Sequence, residues 1–111
     1  MMAFRLSNGL LPTTPTSKTS EVYTYPGGAI SASANGANNG ILWAVQRNGS
    51  VAAGGLRAYD AGNLAVQLYN SDQAGTRDTL DVAAKFSVPL VANGKVYVGS
   101  ISKLTAFGLL P

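Results

Sequence analysis

The chain has no cysteine and no histidine, and only 12% of its 111 residues are charged. Without Cys there is no thiolate nucleophile and no disulfide staple. Without His there is no imidazole for a zinc site or a Ser-His-Asp triad. Soluble chains average roughly 25% charged residues, so this surface is poor in charge. The basic residues Arg5, Lys18, Arg47, Arg57, Arg77, Lys85, Lys95 and Lys103 exceed the five acids and give a net charge of +3. No two are adjacent and no basic stripe with interleaved aromatics appears, so the clustered footprint of a nucleic-acid binder is missing. No apolar run reaches the ~18 residues of a membrane-spanning helix. The start, Met1 to Gly9, meets polar residues before the apolar core of a signal peptide can form.

What is present is apolar and turn-rich. Hydrophobic residues make up 46% of the chain, with 13 Gly and 5 Pro, which is too apolar for a disordered chain. The length suits one small domain. Short strands are expected at 4–6, 21–25 and 29–33, the second stopped by Pro26-Gly27-Gly28. Residues 11–17, with two Pro among β-branched Thr, forbid a helix. Asn35-Gly36 and Asn93-Gly94 read as turns, the latter a hairpin signal. Ile41-Leu42-Trp43-Ala44-Val45 is a continuous apolar run, as in a strand buried on both faces. Strands follow at 56–60, 64–69, 86–91, 95–99 and 103–107. Residues 70–81 read as a long surface loop. The one helical candidate, 81–85, is too short to count, and the chain is expected to be all-β.

An internal repeat is visible. Ala34-Asn35-Gly36 recurs as Ala92-Asn93-Gly94 at an offset of 58. Ile41-Leu42-Trp43 aligns with Val96-Tyr97-Val98 at 55, and Leu56-Arg57-Ala58-Tyr59 with Leu104-Thr105-Ala106-Phe107 at 48. Four-stranded units of about 40–50 residues are the signature of propeller blades.

The segments Asn93-Gly94-Lys95-Val96-Tyr97-Val98-Gly99-Ser100, Lys103 to Phe107, and Leu56-Arg57-Ala58-Tyr59-Asp60-Ala61 with Leu68-Tyr69 resemble the repeat of pyrroloquinoline-quinone-type (quinoprotein-like) β-propellers. Ser33-Ala34-Asn35-Gly36 through Trp43-Ala44 is similar to a blade of large bacterial secreted propellers with this repeat. The similarity covers about residues 20–110. Leu64 stands where the repeat usually has Gly, and Tyr69 stands near its Trp position. The resemblance implies a single partial propeller unit of about two four-stranded antiparallel blades. Residues 1–25 would end a preceding blade and connect it, 29–70 form the first blade and 86–110 the last. It implies a C-terminal piece of a larger propeller that works outside the cytoplasm. Its partners would be the remaining blades or further copies of itself.

A quinone-dependent dehydrogenase needs a catalytic carboxylate, calcium, the quinone and a stacking aromatic. The acids are Glu21, Asp60, Asp72, Asp78 and Asp81. Asp60 reads as a turn cap. Asp72, Asp78 and Asp81 share a loop with Arg77, at spacings unlike an EF-hand, and read as self-pairing charges. Lys95 and Lys103 read as solvated strand residues. Trp43 and the five tyrosines read as packing groups with polar tips, and Asn48-Gly49-Ser50 as a turn rather than a glycosylation acceptor. No catalytic, cofactor or metal residue is assigned. Pyrroloquinoline quinone and calcium would be expected only in a parent that is a true quinoprotein. The leading expectation is a non-catalytic structural or protein-interaction module. A blade segment of a quinone-dependent dehydrogenase and a carbohydrate-binding fragment are the alternatives. Two blades leave apolar faces open, so self-association is expected.

Overall fold

Side chains in the apolar run 41–45 are covered on both sides, because the run lies within the strand Asn38–Gln46 between two other layers. The computed structural model describes residues 1–110. Its strands are β1 (Met2–Ala3), β2 (Ser17–Lys18), β3 (Ala29–Asn35), β4 (Asn38–Gln46), β5 (Gly55–Asp60), β6 (Asn63–Asn70), β7 (Leu90–Ala92), β8 (Lys95–Gly99) and β9 (Leu104–Phe107). They form three antiparallel sheets, β1-β2, β3-β4-β5-β6 and β7-β8-β9, and none closes on itself. The chain is all-β, with one 3-10 turn at Ser71–Ala74.

The side-chain period of two explains the layering. Toward the third sheet, Trp43, Val45, Leu56 and Tyr69 meet Val91, Val96, Val98 and Phe107, with Leu80 and Ala83 between them. Toward the N-terminal segment, Leu42, Ala44, Tyr59 and Leu64 meet Met1, Ala3 and Tyr23. Every residue from Gly55 to Tyr59 is buried. The middle sheet has few positions for charge, and its strands carry only Arg57 and Asp60 as charged residues.

Several expected features differ. Residues 4–6 are not a strand; Met2–Ala3 pair instead with Ser17–Lys18. Residues 21–25 are not a strand either. The Glu21 and Tyr23 side chains and the Val22 carbonyl bond to side chains of the middle sheet and take no place in a ladder. Tyr59 Oη donates to Glu21 Oε2 at 2.9 Å, Tyr23 Oη lies 2.9 Å from Tyr59 Oη, and Gln67 Nε2 donates to Glu21 Oε1 at 2.9 Å. Since the Tyr59 proton goes to Glu21, Tyr23 is the donor to Tyr59. The strand expected over 86–91 begins only at Leu90; Pro89 has no N–H to give a ladder, and Phe86 has φ +64°. The third sheet has three strands, as the strand pattern over 86–107 suggests, and one fewer than the four-stranded blade that the resemblance implies. The 70–81 segment is more than surface: Ser71 and Leu80 are fully buried, and Ser71 Oγ accepts the Leu56 N–H at 3.1 Å.

The ladders also correct the repeat register. Trp43 pairs with Ala58, and Tyr97 pairs with Ala106. Keeping Ala58 and Ala106 equivalent makes Trp43 the counterpart of Tyr97, an offset of 54 and not 55. One residue matters because a slip of one turns every side chain to the other face. In the corrected register Trp43 and Tyr97 both point away from the preceding layer, while Tyr59 and Phe107 both point toward it.

Gly54 fixes the start of β5. A Cβ there would lie 2.6 Å from Ala83 Cβ and 2.9 Å from the Gln46 carbonyl oxygen. The connection between the sheets thus packs against a bare backbone. Leu56, fully buried between the sheets, is the test of this layer. Leu56→Ala is expected to lower unfolding free energy by about 2–5 kcal/mol in urea denaturation, the range for a large-to-small change in a packed core.

Candidate functional site

Face-to-face packing of the middle and third sheets is incomplete, and it leaves a cleft of about 780 Å³. Its size falls in the roughly 300–1,000 Å³ range of binding pockets. Trp43 forms the floor, held by an Nε1–H bond to Ser33 Oγ at 2.9 Å. Tyr69, at the end of β6, meets Phe107 of β9 edge-on, with ring centroids 6.5 Å apart. The far wall is one continuous piece of chain, Thr105 to Leu110.

The polar groups of the cleft sit at its rim. Asp78 accepts from Tyr69 Oη at 2.6 Å and from Arg77 Nε at 2.6 Å. The Arg77 hydrogen bond and then the Tyr69 hydroxyl hold the Asp78 carboxyl down at about 2. The Tyr69 hydroxyl is pushed up, first by burial and then by its bond to Asp78. Lys95 also lines the cleft. It has no acidic partner among the described residues, and its stem runs beside Gly108, where a Cβ would lie 3.4 Å from Lys95 Cγ.

A second feature is the outer face of the third sheet. The pairs Leu90↔Tyr97, Tyr97↔Ala106 and Gly99↔Leu104 place these side chains on one side. Among the described residues nothing covers it: Leu90 is 62% exposed and Leu104 71%. Lys95 is its one charged residue.

The acids considered from sequence are dispersed. Asp60 Oδ1 accepts the Gly62 N–H at 2.7 Å and caps the β5–β6 turn. Asp72 pairs with Arg57 at 3.2 Å, outside its own loop. Asp81 bonds to Ser102 Oγ. Only Asp78 pairs with a charge of the same loop. Glu21 lies on the other side of the middle sheet. Burial works to raise its carboxyl, but hydrogen bonds led by Tyr59 outweigh that and hold it below the ordinary value. No three acidic groups converge among the described residues. Asn48 Nδ2 donates to the Ala53 carbonyl at 2.9 Å and closes the β4–β5 loop. Lys103 is exposed, and its carbonyl accepts from Ser100. The sequence pattern did not single out Phe107 as lining a cleft or Leu90 and Leu104 as an open face: Leu104 aligns with Leu56, which is buried.

No family model, curated protein or solved structure matches the chain.

The ion pair at the rim has a defined pH window. A depressed carboxyl contributes stability above its unfolded value, 3.8, and loses it as pH falls through about 2. Carboxyl-carbon NMR is expected to place the Asp78 midpoint near 2. Arg77→Gln is expected to move it up toward 3.8; an unmoved midpoint would show that Arg77 is not its cause.

Proposed function

We propose that the chain is a non-catalytic structural and protein-interaction module, a segment of a quinoprotein-like propeller that works by stacking sheets. One comparison carries this reading. Leu56 and Leu104 occupy equivalent register positions; the first is 0% exposed and the second 71%. What buries Leu56 is the following sheet, β7-β8-β9. The face bearing Leu104, Leu90 and Tyr97 has the composition of a covered face and lacks its cover. The middle sheet is stacked on both sides, as a blade within a row of blades is, and this supports the resemblance to the quinoprotein-like repeat. The dispersal of the five carboxylates, each engaged by a different partner, favours a binding role over a catalytic one.

For the chain by itself the occupant is a second copy. Head-to-tail stacking is obstructed, because the preceding face of the middle sheet is already covered by Met1, Ala3 and Tyr23. Two outer faces can meet each other instead, which makes a closed, two-fold dimer. In the full propeller the next blade would take that place.

Analytical ultracentrifugation at micromolar concentration is expected to show a dimer. Leu90→Glu and Leu104→Glu are each expected to give a folded monomer, since a carboxylate at the centre of an apolar contact is left unpaired. Val22→Glu, at an exposed position on the opposite side of the chain, is expected to leave the dimer intact. A wild-type chain that sediments as a monomer would sink the proposal.

A further inference from the structure

We propose that β9 and the cleft beside it receive an extended apolar peptide as a fourth strand. Three independent observations converge there. First, among the described residues β9 pairs only with β8, so its outer edge presents N–H and C=O groups without a strand partner there. The equivalent strand of the middle sheet, β5, has β6 on that side. Second, β9 has none of the usual edge protections. Its sequence is Leu-Thr-Ala-Phe, with no charge and no proline, and its pairing to β8 has no bulge. The outer strand β6 of the middle sheet, by contrast, pairs through register shifts. Third, the cleft runs along this edge: consecutive residues from Thr105 to Leu110 line it.

These features specify the occupant. Backbone pairing to an edge gives affinity, and alternate side chains give specificity. On an added strand, residues opposite Thr105 and Phe107 would point inward, over Trp43 and Tyr69. Those positions take apolar side chains, and the residue between them, opposite Ala106, points outward. Asp78 is occupied by Arg77 and Tyr69, which leaves Lys95 as the free charge at the mouth. The partner segment is therefore extended, alternately apolar, and acidic at a flank. The proposal rests on the reading of the chain as an interaction module, but it shares only Lys95 and Ala106 with the outer face, and the binding test in the monomeric Leu90→Glu variant separates the two, so each can fail without the other.

Trp43 is the sole tryptophan and lies in the cleft, so its fluorescence reports occupancy directly. The probe is a capped peptide of alternating valine and threonine with glutamate at both ends, titrated into the 111-residue wild-type chain and into the monomeric Leu90→Glu variant. A saturable change in Trp43 emission is expected in both. Two further peptides carry N-methyl groups on alternate amides, in the two possible frames. One frame blocks the hydrogen bonds to β9 and is expected to lose at least about tenfold in affinity. The other frame faces solvent and is expected to bind like the parent. Lys95→Glu is expected to weaken binding with the circular dichroism spectrum unchanged. Absence of a saturable signal, equal binding of both methylated frames, or equal binding of an all-threonine peptide would each overturn the proposal. The decisive change is on the peptide, so the outcome does not depend on a variant folding.

Discussion

Burial of one sheet on both faces is the constraint from which the rest follows. A sheet with a single apolar face needs one partner; the β3-β4-β5-β6 sheet needs two. Trp43, Val45 and Leu56 must be taken from water on one side, and Leu42, Ala44 and Tyr59 on the other. The third sheet serves the first requirement by stacking. The N-terminal segment serves the second with hardly any regular structure of its own, and for that reason it depends on side-chain bonds. The chain Tyr23 to Tyr59 to Glu21 to Gln67 and the Leu64 N–H bond to Ser17 Oγ at 3.0 Å tie that segment to the sheet. In a partly buried setting such a network holds position where apolar area alone would not.

Strand content was legible where hydrophobicity and turn chemistry agreed. The run 41–45 announced two-sided burial, and the Asn93-Gly94 turn announced the β7–β8 hairpin. Residues 21–25 misled because alternation of Val, Tyr and Thr describes any segment with one covered side. Whether such a segment joins a ladder depends on whether a strand lies beside it, and no local pattern reports that. Residues 86–89 failed for a local reason that could have been weighted more: Pro89 cannot donate.

The cleft and the open face were harder to read, and the reason is physical. Leu56 and Leu104 are the same residue in the same motif, yet one is core and the other surface. The difference lies wholly in what stacks on them, which a repeat alignment treats as equal. The alignment of apolar runs also placed Trp43 one position out of register with Tyr97. Hydrophobicity does not distinguish the two faces of a fully buried strand, so only the hydrogen-bonded pairs, Trp43 with Ala58 and Tyr97 with Ala106, could settle which side chains correspond.

Once that register is fixed, the third sheet lacks two things the middle sheet has, and they are different in kind. It lacks a layer over Leu90, Tyr97 and Leu104, a deficit of side-chain contact that any apolar sheet could fill. It also lacks a strand beside β9, a deficit of backbone hydrogen bonds that only an extended chain can fill. The first is non-directional and tolerates many partners. The second imposes a strand axis, a register and an alternation of side chains. On the proposed reading, specificity for a partner would lie with the β9 edge and the cleft behind it, lined by Trp43, Tyr69 and Phe107, while the outer face would set how strongly copies or neighbouring sheets hold together.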